Sequence, residues 1–136
     1  MPDNGGFIIA CGLEQVVHLI DYKLSGVLNG LDTESYDPAH DGSLPRTFDP
    51  DHMEGKAVCK AELQRQLGLA QEPDTPLMAI VSRLVSHKGL DLVCEVLHDM
   101  MELPLQMVIL GKGDRKYEEF FHWAAQQHSG RMAVRL

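Results

Sequence analysis

Met78-Ala79-Ile80-Val81-Ser82-Arg83-Leu84-Val85-Ser86-His87-Lys88-Gly89-Leu90-Asp91-Leu92 constrains the fold of this chain more than any other stretch. It opens as a short apolar run of strand type. It then crosses a polar turn with an arginine and a lysine five positions apart, and continues in helical period. A strand that feeds two cations into a loop just before a helix N-terminus is built to meet an anion. In an α/β setting, the anion this points to is the diphosphate of a nucleotide. Solvated surface charges after a strand would show the same spacing, so on the residues alone both readings stay open.

The sequence around this stretch is regular. Residues 77–82 read as a strand, and Ser86 is a candidate N-cap for a helix with Leu90, Val93, Leu97 and Met101 on one face. Pro104 helps end that connection, and 105–110 (Leu-Gln-Met-Val-Ile-Leu) is a second strand of buried type. Gly111-Lys112-Gly113-Asp114 then turns into a third helix with Tyr117, Phe120, Phe121, Ala124 and Ala125 inward. Phe120, Phe121 and Trp123 have the spacing of packing residues. Ser129-Gly130 stops the helix, and a third strand begins at 131–136. Strand, helix, strand, helix, strand predicts a right-handed parallel β-α-β-α-β arrangement. Three strands make half of a doubly wound sheet and leave an edge without a partner, as an interrupted domain would.

The first half is less regular. Within 7–22, Leu13, Val16, Val17 and Ile20 follow helical spacing. Residues 23–28 (Lys-Leu-Ser-Gly-Val-Leu) read as a brief strand closed by the turn former Asn29-Gly30. From 31 to 50 the punctuation is that of a long loop: Asp32, Asp37-Pro38, Asp41-Gly42, Pro45, Asp49-Pro50. A helix follows, with Asp51 as cap and Glu54 three positions on. Ala57, Cys59, Ala61, Leu63 and Leu67 offer a modest apolar face, and Gly68 gives a C-terminal stop.

Composition narrows the functional classes. At 136 residues, 44% hydrophobic and 24% charged, the chain is long enough for a real core. A net charge of −8 without a basic stripe argues against non-specific nucleic-acid binding, though not against a local cationic pocket. Cys11, Cys59 and Cys94 lie far apart without metal spacing, which predicts reduced thiols. The histidines His18, His40, His52, His98, His122 and His128 form no facing pair, so scattered surface positions are expected over metal ligation. No apolar run approaches a membrane span, and residues 1–6 lack the pattern of a secretory signal. The cytoplasm is the expected compartment.

Four segments together carry a resemblance. They are Lys-Leu-Ser-Gly-Val-Leu-Asn-Gly-Leu-Asp at 23–32, Glu-Gly-Lys-Ala-Val-Cys-Lys-Ala-Glu-Leu-Gln at 54–64, Val-Ser-Arg-Leu-Val-Ser-His-Lys-Gly-Leu-Asp-Leu at 81–92, and Leu-Gly-Lys-Gly-Asp at 110–114. In this order and spacing the chain resembles bacterial glycogen synthase, the ADP-glucose-using relative of plant starch synthase. The resemblance implies part of a two-domain GT-B glycosyltransferase: half of a Rossmann-like parallel sheet plus the tail of the preceding domain. Residues 1–50 would be the C-terminal tail of the acceptor-side domain, 51–76 the crossover helix and linker, and 77–136 the first half of the nucleotide-binding domain. The family's Lys-x-Gly-Gly motif would lie upstream, since Gly5-Gly6 is preceded by Asp3 where the lysine belongs. The late glutamate motif would lie beyond Leu136, and the catalytic-cleft histidine is missing.

In those enzymes glucose moves from ADP-glucose to the 4-hydroxyl at the non-reducing end of an α-1,4-glucan, with retention at the anomeric carbon. As the glycosidic C–O bond breaks, negative charge grows on the departing diphosphate. Preorganised cations favour that state over the ground state. The resemblance implies that Arg83 and Lys88 are the diphosphate ligands: a planar fork for two oxygens, and a compact point charge. Gly89 would admit close backbone approach at the helix start. Gly111 and Gly113 would carry the next loop past the nucleotide, unless they merely form a tight turn. Asn29 and Asp32 would lie by the cleft, with the Asn29 amide on a sugar hydroxyl or serving only as a turn. His87 stands where the family commonly has glutamine. The expected partners are ADP-glucose and α-1,4-glucan, with no metal or other cofactor, no nucleic acid and no membrane. The isolated chain is expected to transfer no glucose. A truncated nucleotide- or protein-binding module without catalysis is the alternative.

Overall fold

A computed structural model describes residues 14–136, which fall into two units, one ending at Thr33 and the other running from Glu34 to Leu136. The apolar run from Phe7, the helical place of Leu13 and the thiol of Cys11 lie outside the described residues.

The first unit holds helix α1 (Glu14–Leu19), which matches the helical spacing, and a 3₁₀ turn over Asp21–Lys23. The strand expected over 23–28 does not form. The Lys23 N–H donates to the Ile20 carbonyl at 2.8 Å and the Leu24 N–H to the Asp21 carbonyl at 3.0 Å, so the segment begins as a tight turn. Val27 and Leu28 then stay open to water. A strand is stable only with a pairing partner, and the sheet among the described residues consists of three later strands.

In the second unit, residues 34–53 form the expected long irregular segment. Its aspartates hold the turns: Asp37 accepts the Ala39 N–H, Asp41 the Ser43 N–H, and Asp49 the N–H groups of Asp51 and His52. Asp49, not Asp51, therefore organises the approach to helix α2 (Glu54–Leu67), whose N-cap is Met53 without a side-chain bond. Gly68 ends α2 in the left-handed region, as expected.

The buried side of α2 departs from the expected apolar face. Ala57, Ala61 and Leu63 are exposed, while Gly55 and Gln64 are buried. The reason is polar. The Gln64 amide donates to Gln106 Oε1 at 2.7 Å and to the Glu72 carbonyl at 3.1 Å, and Gln106 donates to the Ala70 carbonyl at 2.7 Å. A buried amide is tolerated where its groups find partners, and this pair fastens α2 to the sheet. Leu67, at the end of α2, joins Leu69, Leu77, Val108 and Ala133 in a small apolar cluster beside it.

The sheet comprises β1 (Leu77–Val81), β2 (Gln106–Leu110) and β3 (Met132–Arg135), all parallel, in the order β1-β2-β3. Ile80 pairs with Ile109, and Ile109 with Val134, so one face presents a continuous apolar row. Helices α3 (Leu90–Glu102) and α4 (Arg115–Gln127) cross over between the strands and cover that face. Leu90, Leu97 and Met101 from α3 and Tyr117, Phe121 and Ala124 from α4 are buried with Met107, Ile109, Met132 and Val134. Phe120 and Ala125 pack partly against them, whereas Trp123 is 57% exposed. Trp123 lies two positions past Phe121, about 200° round a helix of 3.6 residues per turn, and so faces water. Each outer strand keeps one unpaired edge among the described residues.

Candidate functional site

The two strand-to-helix loops, 82–89 after β1 and 111–114 after β2, lie side by side at the C-terminal end of the sheet. The ladder does not stop where the strands do. Ser82 N–H donates to the Leu110 carbonyl at 3.1 Å, Leu84 N–H to the Lys112 carbonyl at 3.0 Å, and Asp114 N–H to the Leu84 carbonyl at 2.7 Å. Leu84 and Gly113 form an isolated parallel bridge. The Leu84 side chain, fully buried in the main core, pins the first loop from below. Arg83, immediately before it, is exposed.

This contact explains both glycines of the second loop. A Cβ on Gly111 would stand 1.8 Å from the Ser82 carbonyl oxygen, and one on Gly113 would stand 2.3 Å from that of Leu84. Each collides with backbone, which cannot swing aside. Their smallness thus lets the second loop lie flat against the segment that carries Arg83. Gly113 N–H is held in turn by the Glu118 carboxylate at 2.8 Å, from the first turn of α4.

After Leu84, the Val85 N–H donates to the Arg83 carbonyl and residues Ser86–Lys88 form a 3₁₀ turn. Ser86 is therefore not the N-cap of α3. Gly89 takes that place with φ of 70°, a left-handed conformation that costs a side-chain-bearing residue energy. The shift arises because the Gly89 N–H bonds back to the Ser86 carbonyl at 3.1 Å, closing one tight turn before the helix begins. His87 and Lys88 are exposed on that turn.

Charge pairing sets this region apart. The chain has 12 Lys and Arg against 20 Asp and Glu. Arg65 pairs with Glu62 and Arg115 with Glu119. Arg131, Arg135 and Lys60 donate to backbone carbonyls, the last to Pro73 and Thr75. Lys23, Lys56 and Lys116 lie over aromatic rings. Among the described residues this leaves Arg46, Arg83, Lys88 and Lys112 without a side-chain partner. Three of these four stand on the two adjoining loops. In an acidic chain, such unpaired cations form a local positive surface available to an anion.

Arg83, Lys88, Gly89, Gly111 and Gly113 are therefore carried on adjoining loops of one unit, while Asn29 and Asp32 belong to the unit that ends at Thr33. Sequence reasoning missed two participants. Glu118 fastens the second loop, and Lys112 is its unpaired cation. A lysine between two glycines was a visible signal for the latter; nothing in sequence spacing marked the former.

The described thiols are free. Burial, with the negative charge of Asp91 behind it, pushes the Cys94 thiol up, which disfavours its reactive thiolate. The described residues include no cluster of three or more His, Cys, Asp or Glu arranged to hold a metal ion, and no helix long and apolar enough to cross a membrane.

No family model matches the chain. It is 44% identical over 125 residues to the glycogen synthase of Anaeromyxobacter sp. (strain Fw109-5), a match covering 92% of this chain and 26% of that protein. It is 47% identical over 113 residues to the glycogen synthase of Anaeromyxobacter dehalogenans (strain 2CP-C), covering 83% and 24%. Among solved structures it is similar to the catalytic domain of starch synthase IV from Arabidopsis thaliana bound to ADP and acarbose. That match has a TM-score of 0.83 and 32% identity over 92% of this chain and 26% of the other. This likeness bears out the expected α/β fold as part of a GT-B catalytic domain. The chain spans about a quarter of the length of the curated relatives it matches.

Proposed function

The chain carries a segment of the glycogen synthase and starch synthase family, and on that footing we propose that it supplies the diphosphate-binding part of a retaining glucosyltransferase acting on ADP-glucose. Residues 77–136 serve as the first half of the nucleotide-binding domain, 51–76 as the crossover, and 1–50 as the tail of the acceptor-side domain. The donor's glycosidic C–O bond breaks, ADP departs with the bonding pair, the glucosyl carbon bonds to the 4-hydroxyl oxygen of an α-1,4-glucan, and that hydroxyl's proton passes to the departing diphosphate. Arg83 and Lys88 meet the growing charge on the diphosphate. Gly89 gives them a fixed turn, and Gly111 and Gly113 hold the neighbouring loop against Arg83. Asn29 and Asp32 act on the sugar side. The reading needs no resident metal or cofactor, because the side chains supply the positive charge, and it places the reaction in the cytoplasm.

One observation carries this reading: Arg83 and Lys88 are exposed and unpaired on a loop whose backbone is fixed on both sides, in a chain of net charge −8. A backbone held in place carries both cations, which lessens the rearrangement needed as charge develops on a leaving group. The quarter-length coverage favours a second, narrower statement, that this chain alone binds nucleotide without completing transfer.

Calorimetric titration with ADP, alongside a glucose-transfer assay on glycogen, tests both. ADP binding is expected and should weaken about tenfold or more in Arg83→Ala, the scale of a lost charge-assisted contact. No heat from a folded sample sinks the proposal. Glucose transfer by the chain alone that disappears in Arg83→Ala would overturn the narrower statement.

A further inference from the structure

We infer that Lys112 is a third cation of the diphosphate site, reaching the ligand from the second loop; this rests on the reading of Arg83 and Lys88 just given. Glycine-rich loops after a strand usually raise the expectation that backbone N–H groups cradle the phosphates. Here that route is largely closed. Gly111 N–H donates to the Arg135 carbonyl at 3.0 Å, Gly113 N–H to Glu118 at 2.8 Å, and Asp114 N–H to the Leu84 carbonyl at 2.7 Å. Three of the four N–H groups of 111–114 are already engaged. What this loop can offer an anion is mainly the side chain of Lys112.

Lys112 is well held for that task. Its carbonyl accepts the Leu84 N–H, so its main chain runs directly beside Arg83 and Leu84. Adjacent parallel segments lie about 4.8 Å apart, well within the reach of long cationic side chains. The glycines on either side admit no Cβ, which fixes the path of the loop through residue 112. The side chain is exposed and has neither an ion pair nor a ring partner among the described residues. The acidic residues that follow it make no ion pair with it: Asp114 stands in no salt bridge among the described residues, Glu118 accepts the Gly113 N–H, and Arg115 takes Glu119. Cations gathered without counter-charges repel one another, and an anion shared between them removes that repulsion.

The test is titration of the chain with ADP, with inorganic pyrophosphate and with adenosine, for wild type, Lys112→Ala, Lys112→Arg, Arg83→Ala and Arg115→Ala. Lys112→Ala is expected to weaken ADP and pyrophosphate about tenfold, the scale of one charge-assisted contact, and to flatten the salt dependence of binding. Lys112→Arg should restore most of the affinity. Arg115→Ala, which removes an already paired surface charge, should change it less than about twofold. A change of affinity that is equal for adenosine and ADP would mark a structural effect and overturn the assignment. ADP binding that is lost in Arg83→Ala but within twofold of wild type in Lys112→Ala would overturn it while leaving the parent reading intact. A folded wild-type chain that binds neither ADP nor pyrophosphate would defeat both.

Discussion

Between α1 and Thr33 the large apolar residues face water: Leu19, Val27, Leu28 and Leu31 keep between 77% and 97% of their surface exposed. In the β-α-β-α-β part, residues of the same kind are hidden, with Leu97, Met101, Ile109 and Phe121 at 3% or less. Residue type does not separate the two regions. What separates them is that two helices, α3 and α4, return across one face of the sheet between its strands, so the apolar row on that face meets theirs. Among the described residues of the first region, a six-residue helix followed by a turn has no such return, and short helices have little stability of their own.

Removing a side chain from each region should widen that contrast. Phe121→Ala opens a cavity in the main core and is expected to cost about 3–5 kcal/mol in urea denaturation. Leu28→Ala, at a site 97% exposed, should stay within about 0.5 kcal/mol. A Leu28→Ala loss comparable to that of Phe121→Ala would break the comparison.

A smaller effect tests how the second region holds α2. Gln106→Leu removes the acceptor of the buried Gln64 amide and should cost about 1–3 kcal/mol. The double variant Gln64→Leu/Gln106→Leu should recover much of that loss, because the orphaned amide disappears with its partner. A double-variant cost equal to the sum of the singles would show that the pair is not an interacting unit.

The smallest effect is electrostatic and lies on the outer face of α2. Hydrogen bonds from Arg65, then Gln66, hold the Glu62 carboxyl down to about 2 from the usual 4.5. A carboxyl depressed in the folded state stabilises the fold above its unfolded value, and that contribution is lost as pH falls through the folded one. The stability difference between wild type and Glu62→Gln should therefore be present at neutral pH and shrink between about pH 4.5 and 2. For so exposed a pair it should be slight and weaken further in salt. A difference that grew on acidification would reverse the sign of the argument.

The order and type of the elements after Gly68 were legible because period and punctuation agree there. Leu90, Leu97 and Met101 repeat at helical spacing, Met107 and Ile109 alternate, and Gly130 follows the helix that it was expected to stop. The stretch 23–28 misled because Lys-Leu-Ser-Gly-Val-Leu has strand-like composition, while strand formation depends on a neighbour that composition cannot supply. On α2 the apolar spacing pointed to one face and the buried amide of Gln64 chose another. Its partner Gln106 is 42 positions away, beyond any local pattern.

The candidate site divides in the same way. The sequence by itself determined that two cations, Arg83 and Lys88, stand between a strand and a helix, because strand, turn and helix signals are all local in the chain. Only the tertiary structure decided what surrounds them. The parallel register β1-β2 brings the 111–114 loop against Leu84, turns Gly111 and Gly113 into close-contact residues, and sets unpaired Lys112 beside Arg83. Those relations join residues about thirty positions apart through backbone hydrogen bonds, and such bonds have no signature in the identity of the residues that make them.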